Sequence, residues 1–284
     1  MTYSDVCGRP STEQRHRVND LEVDGEATAS VKRWSRKIRY GPSRHQVGAY
    51  RSPERRETGR PAAPTIVLLH GGSWSWPYNR WVMWLLARDV TRRGWGLFNV
   101  DYRRVGRLGG GGGWPETFDD ARTAIELITD NMSGLDLDAD RVVVVGHSAG
   151  GHLALIGSAT ANIAPALAVS MAGPTDLERM WSNGSQPVRD LTARAPESSR
   201  WSTTSPIHML PLDVPTLCVH GQADTTVHPR HSTAFVEAAR SAGDVADAVL
   251  VPGETHKDAL KPTSAIWAVV VSAILDRFES NTHV

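Results

Sequence analysis

Arg141-Val142-Val143-Val144-Val145-Gly146-His147-Ser148-Ala149-Gly150-Gly151-His152-Leu153-Ala154-Leu155 is the stretch whose reading decides the fold. The valine run is apolar on both faces and β-branched throughout, which is how a strand buried on both sides reads. The Ala- and Leu-rich residues from Gly151 to Thr160 read as a helix. Between them, Gly146-His147-Ser148-Ala149-Gly150 places glycines on either side of a sharp turn, and small residues are what let such a turn close. A buried strand, a tight turn and a helix, in that order, form the front half of a βα unit. Repeated along a chain, that unit builds a mostly parallel sheet with helices on both faces.

The repetition is present. Thr65–Leu69, Gly96–Val100 and Pro215–Val219 are further continuous apolar runs, and Ala166–Ser170 and Ala248–Val251 are weaker ones. Helical patterns separate them. Asn79–Arg93 has apolar residues at 81, 82, 85, 86 and 90, and Glu116–Met132 at 118, 121, 125, 128 and 132; Pro229–Ala242 and Thr263–Phe278 complete the set. Ahead of them, Val31–Tyr40 and His45–Tyr50 flank a Gly41-Pro42 turn and read as an antiparallel pair. The predicted organisation is a polar N-terminal arm over residues 1–30 and one α/β domain over 31–284. A small helical cap insertion is predicted at about 174–211, where Pro and Trp residues interrupt the alternation. The five glycines Gly109–Gly113 lack the Lys-Ser/Thr of a phosphate loop.

Composition excludes several classes. Lys plus Arg number 31 and Asp plus Glu number 31, for a net charge of zero. That speaks against a nucleic-acid binder or a polybasic membrane-surface protein. Cys7 lies in a polar segment and Cys218 in an apolar run, so no disulfide framework is implied. With no apolar leader-like or spanning run, the expectation is a cytoplasmic protein with a small-molecule partner, no nucleic acid and no membrane. Oligomeric state is not legible.

The chemistry follows from spacing. Gly146-His147-Ser148-Ala149-Gly150 is a G-x-S-x-G between a strand and a helix, the context that lifts a serine oxygen clear of a sheet beside a helix N-terminus. His70-Gly71-Gly72-Ser73-Trp74 follows the Thr65–Leu69 run. Its backbone N–H groups at Gly71 and Gly72, with that of Ala149, are the candidate donors to an oxyanion. His70 is expected to brace that loop. A nucleophilic serine needs a base, and the base an orienting carboxylate. Asp224, in His220-Gly221-Gln222-Ala223-Asp224, and His256, in Pro252-Gly253-Glu254-Thr255-His256, follow strand runs and keep the order Ser, Asp, His. The rival histidines are His147, His152, His208, His228 and His231, and the rival acids Asp176 and Asp213. No metal-ligand spacing is present, and acyl transfer by a serine calls for no cofactor.

Together these residues resemble the α/β-hydrolase superfamily, in its H-G-G esterase branch of hormone-sensitive-lipase-like, feruloyl/acetyl-xylan-type and arylformamidase-like enzymes. The resemblance runs from about Ile38 to His256 and includes Asp101-Tyr102-Arg103 and Gly253 through His256. Arg103–Leu108 and the glycine run stand where the branch has a Pro-containing loop. The resemblance implies a serine hydrolase that cleaves a carboxylic ester of a small or medium, possibly aromatic, substrate through an acyl-enzyme. An arylformamidase or amidase with the same triad is the alternative, and a catalytically inactive binding protein on the same fold the second.

Ten Trp outnumber five Tyr and four Phe. Trp81 and Trp84, at helical spacing, are expected in the core, one or both. Trp74, Trp76, Trp114 and Trp181 are expected to wall a substrate pocket.

Overall fold

The computed structural model describes residues 35–54, 63–131 and 134–279. The N-terminal arm, Cys7 and Met132 lie outside the described residues. Among the described residues eight strands form one sheet: β1 (Arg36–Arg39), β2 (Val47–Arg51), β3 (Thr65–Leu69), β4 (Gly96–Asp101), β5 (Val142–His147), β6 (Leu167–Met171), β7 (Thr216–Gly221) and β8 (Ala246–Val251). Their spatial order is β1-β2-β4-β3-β5-β6-β7-β8. β1 with β2 and β2 with β4 are antiparallel, and every later pairing is parallel. The chain therefore reverses direction in the sheet only at its start.

Among the described residues eight α-helices accompany the strands: α1 (Trp84–Arg92), α2 (Glu116–Thr129), α3 (Ala149–Thr160), α4 (Leu177–Ser182), α5 (Gln186–Thr192), α6 (Arg200–Thr204), α7 (Arg230–Ser241) and α8 (Ala265–Glu279). Alternate residues of each strand point to opposite faces, and the core divides accordingly. Val67, Leu69, Phe98, Val100 and Val144 meet Phe118, Ile125 and Ile128 of α2 and Leu153 and Ala154 of α3. Ile66, Leu68, Leu97, Val143 and Val145 meet Leu86 and Val90 of α1 and Ile266, Trp267, Val270 and Ile274 of α8. α7 closes the first face further along, placing Phe235 and Val236 over Ala168 and Cys218. Burial on both faces is why β3 through β7 contain no exposed position. Trp267, fully buried, donates its indole N–H to Asp89 Oδ2 at 2.7 Å, so α8 is tied to α1 across that layer. Among the described residues no helix is long and apolar enough to cross a membrane.

Two expectations about tryptophan are overturned. Trp81 and Trp84 are not core: Trp81 is 61% exposed and Trp84 is exposed as well. The run begins with a 3-10 turn, Arg80–Met83, capped by the Asn79 side chain, before α1 takes over. A 3-10 turn advances 3.0 residues per turn against 3.6, which rotates the face that follows. Met83, Leu86, Ala87 and Val90 are buried instead. Trp74, expected at the pocket wall, is the opposite case. Ser73 and Trp74 both adopt left-handed backbone (φ 51° and 55°), which turns the indole inward until it is 2% exposed. There its N–H donates to His152 Nδ1 at 3.2 Å, and the two rings meet edge to face at 5.2 Å.

Trp74→Ala should therefore act on stability. Removing a buried tryptophan typically costs about 3–5 kcal/mol, and here it also leaves His152 Nδ1 without its donor. Urea denaturation checks this; a variant as stable as the parent would contradict the buried assignment.

Candidate active site

The His70–Gly72 loop, Ser148, Asp224 and His256 lie at or just beyond the C-terminal ends of parallel strands, the edge where functional groups gather in open α/β sheets. Ser148 follows β5 and opens α3 with φ 53° and ψ −122°, a region sparsely used by non-glycine residues. Its surroundings force that geometry. A Cβ on Gly146 would stand 1.9 Å from Gly150 O, and one on Gly150 would stand 2.0 Å from Leu69 O. Only glycine at both places lets β5, the turn and α3 approach so closely. Ser148 N–H donates to Met171 O at 2.8 Å, anchoring the turn to β6.

The His70–Trp74 loop lies against this turn. A Cβ on Gly71 would come within 2.9 Å of His147 Nδ1 and 3.1 Å of Ser148 Cβ. Among the described residues the N–H groups of Gly71, Gly72 and Ala149 find no acceptor. His70 is buried, stacks on Tyr102 with centroids 4.3 Å apart, and bonds Gly71 O through Nδ1 at 2.7 Å. Tyr102 hydroxyl donates to His70 O at 2.7 Å.

Asp224 and His256 meet on the other side. Asp224 Oδ2 accepts from His256 Nδ1 at 2.7 Å and from His220 Nε2 at 3.2 Å. Oδ1 accepts from the backbone N–H of Thr226 at 2.8 Å and of Val227 at 3.0 Å. Burial by itself pushes this carboxyl up, but hydrogen bonds from His220, His256 and Val227 outweigh it and hold the group well below the usual carboxylate range. His256 stays partly open, with 12% of its side chain exposed. Its ring lies 4.7 Å, centroid to centroid, from that of His147.

The rivals are engaged elsewhere. Asp176 caps α4 by accepting from Arg179 N–H at 2.9 Å. Asp213 stands with φ 57° and donates its N–H to Asp244 Oδ1. His231 Nδ1 accepts from the N–H groups of Thr175 and Asp176, and His208 pairs with Glu178. His228 Nδ1 accepts the N–H of Arg230 at the start of α7.

Two residues prove more central than their spacing indicated. His220 is fully buried on β7 and joins Asp224 Oδ2, Val227 O and Ser232 Oγ. The four-residue separation from Asp224 across a strand end was its only signal. His147 Nε2 donates to His256 O at 2.9 Å, so the turn carrying Ser148 also holds the backbone of the His256 loop.

The expected pocket aromatics divide. Trp76 is 52% exposed, directly after the His70–Trp74 loop. The backbone N–H of Trp114, just ahead of α2, donates to Leu191 O at the end of α5, and Trp181 of α4 packs against Trp201 of α6 at 6.2 Å with the Arg189 guanidinium over its ring. Tyr78, which spacing did not single out, packs onto the loop itself: a Cβ on Gly72 would stand 2.3 Å from Tyr78 Cβ.

Three buried histidines couple the site to pH. Burial pushes His70 to about 4, His147 to about 3 and His152 to about 4. The unfolded chain takes up these protons near 6.5, whereas the folded protein resists until about pH 4. The stabilisation is complete above pH 6.5 and is lost as pH falls toward 4. Each histidine accounts for roughly 2 kcal/mol by about pH 5. Urea midpoints measured at neutral pH and near pH 5 should show a large drop; equal midpoints would mean that these histidines are not buried as neutral groups.

Comparisons with known proteins give the family and the fold. The BD-FAE family model matches residues 53–239, more than half of the chain. The chain belongs to the BD-FAE family. The BD-FAE match takes in the His70–Trp74 loop, Ser148 and Asp224 and ends before His256. This BD-FAE chain is 27% identical over 228 residues to Esterase LipQ of Mycobacterium tuberculosis (strain ATCC 25618 / H37Rv), covering 72% of the chain and 52% of that protein. It is 25% identical over 222 residues to the probable carboxylic ester hydrolase LipM of the same organism, covering 71% and 50%. The chain thus spans about half the length of the curated relatives it matches. Among solved structures, Esterase B from Lactobacillus rhamnosis superposes with a TM-score of 0.71 at 17% identity, over 85% of this chain and 83% of that one. A truncated carbohydrate esterase from gut microbiota superposes at 0.68 and 19%, over 87% and 96%. The BD-FAE chain has the α/β-hydrolase fold.

Proposed function

We propose that this protein is a serine carboxylesterase acting on small or medium esters through an acyl-enzyme. The observation that carries the reading is the 2.7 Å bond between His256 Nδ1 and the buried Asp224 carboxylate, on a loop that His147 fastens to the turn bearing Ser148. A carboxylate held ionised in this way keeps the proton on Nδ1 and leaves Nε2 free as a base. In the proposed cycle, Ser148 Oγ attacks the ester carbonyl while His256 Nε2 takes its proton. The carbonyl oxygen becomes an oxyanion facing the N–H groups of Gly71, Gly72 and Ala149, beside the N-terminus of α3. The tetrahedral species collapses, the alcohol leaves with the proton from His256, and Ser148 is acylated. Water, deprotonated by His256, then releases the acid and restores the serine. Trp76 and Tyr78 beside the loop, with Trp114 ahead of α2 and Trp181 on α4, support a preference for planar acyl groups. The esterase names of the relatives support the ester over the amide.

A fluorophosphonate probe and a substrate panel test this. Stoichiometric labelling at Ser148, with p-nitrophenyl esters turned over faster than N-formylkynurenine, is the expected outcome. An unlabelled protein would mean an inactive fold, and faster cleavage of the formamide would move the assignment to an arylformamidase.

A further inference from the structure

The surface beside the His70–Trp74 loop is aromatic and cationic at once. Trp76, Tyr78, Trp81, Trp84 and Leu85 are all exposed within ten residues of sequence. Trp81 and Trp84 lie together at 5.5 Å between centroids. Further along the same run, Leu85, Arg88 and Arg92 continue the face of Trp81 at spacings of three and four, and both arginines are exposed. A second exposed arginine source adjoins it: Ser75 is bridged to Val105, and Val105 N–H donates to Trp74 O at 2.8 Å, which brings the Gly106–Leu108 segment with Arg107 alongside. Among the described residues Arg88, Arg92 and Arg107 form no ion pair. Of the nearby acids, Asp89 is committed to Arg93 and Trp267 and Asp101 to Arg80 in a buried position, while Glu54 lies against Gly94 at the far end of the run, leaving three arginines to one free acid. A whole-chain charge of zero conceals this local excess.

The two properties together select the occupant. A second copy docked by a two-fold axis would set unpaired arginines against unpaired arginines, and interface cores are depleted of charge. Trp and Tyr have apolar bodies with polar edges, which suits the boundary between acyl chains and headgroups, and Arg on the same face suits anionic headgroups. We propose that the Trp76–Arg92 face docks on an anionic lipid–water interface. The face starts at the loop beside Ser148, so docking would present the site to esters dissolved in the lipid. The docking goes beyond the esterase reading, and vesicle partition is read without turnover.

The full chain is sedimented with vesicles of phosphatidylcholine alone, or with about a third phosphatidylserine, at low and high salt. Partition should favour the anionic vesicles and weaken as salt rises. The double variant Arg88→Gln, Arg92→Gln should lose about thirtyfold in anionic partition, at the usual contribution of each cation near such a surface. The double variant Trp81→Ser, Trp84→Ser should lose at least about tenfold on both vesicle types. Both should keep the parent's circular dichroism and urea midpoint, which shows that the variants are folded. Absence of partition by the parent chain, or variants that partition equally well, would overturn the proposal. So would a dimer in solution that Trp81→Ser, Trp84→Ser converts to monomer, because the face would then belong to a second copy.

Discussion

Ser148→Ala is expected to lower kcat for p-nitrophenyl acetate by about 10⁴–10⁶ and to leave the fold intact. The substitution removes only Oγ. Alanine keeps Cβ, so it inherits the strained backbone of Ser148 at φ 53° and ψ −122° without adding to it. The N–H bond to Met171 O and the close approach of Gly146 to Gly150 do not involve the lost atom. Residual turnover would come from the N–H groups of Gly71, Gly72 and Ala149, which the substitution leaves in place. Ser148→Gly separates strain from chemistry. It should be equally inactive yet more stable by about 1 kcal/mol, since glycine adopts positive φ without a Cβ penalty. A Ser148→Ala enzyme that keeps more than about a hundredth of its activity would remove Ser148 from the mechanism.

Strand positions were readable because burial on both faces leaves a composition that little else produces. β3 and β5 are continuous apolar runs in the sequence and fully buried strands in the structure. Helix faces were less readable. The Arg80–Met83 turn changes the period from 3.6 to 3.0 just before α1, and a three-residue spacing such as Trp81 to Trp84 does not say which phase meets the core. Trp74 departs from its expected place for a different reason. Its direction is set by two left-handed residues, Ser73 and Trp74, and neither is the glycine or asparagine that announces such a turn. What pulls it inward is a partner, His152, 78 positions away in sequence.

In the candidate site, Ser148 and the glycine loop were legible because they sit in one short segment each, where spacing states geometry directly. Asp224 and His256 required a topology, and the 2.7 Å bond between them is a tertiary fact. His220 and His147 were legible only as motif letters. Their partners are a carboxylate at a strand end and a backbone carbonyl on a distant loop. No periodicity marks a side chain whose role is to hold another residue's loop.

Asp224→Asn tests that network as a unit and should lower kcat by about 10⁴ with KM little changed. The carboxylate serves four donors: His256 Nδ1 and His220 Nε2 on Oδ2, and the N–H groups of Thr226 and Val227 on Oδ1. An amide accepts on one end only. With its nitrogen toward His256, two donors face each other unless His256 moves its proton to Nε2, which removes the base that Ser148 needs. With its nitrogen toward Thr226 and Val227, two buried backbone N–H groups lose their acceptor, at about 1–3 kcal/mol for each group left unsatisfied. The first orientation avoids the backbone cost and so should prevail, giving a folded enzyme with the wrong histidine tautomer. Activity of Asp224→Asn should then recover as pH rises, because stronger base favours removal of the blocking proton; the parent, whose Asp224 is already ionised far below neutrality, should show no such rise at the same pH. A variant with near-parent kcat at neutral pH would show that Asp224 holds the loop alone, and the base's orientation would have to come from His147 through its bond to His256 O.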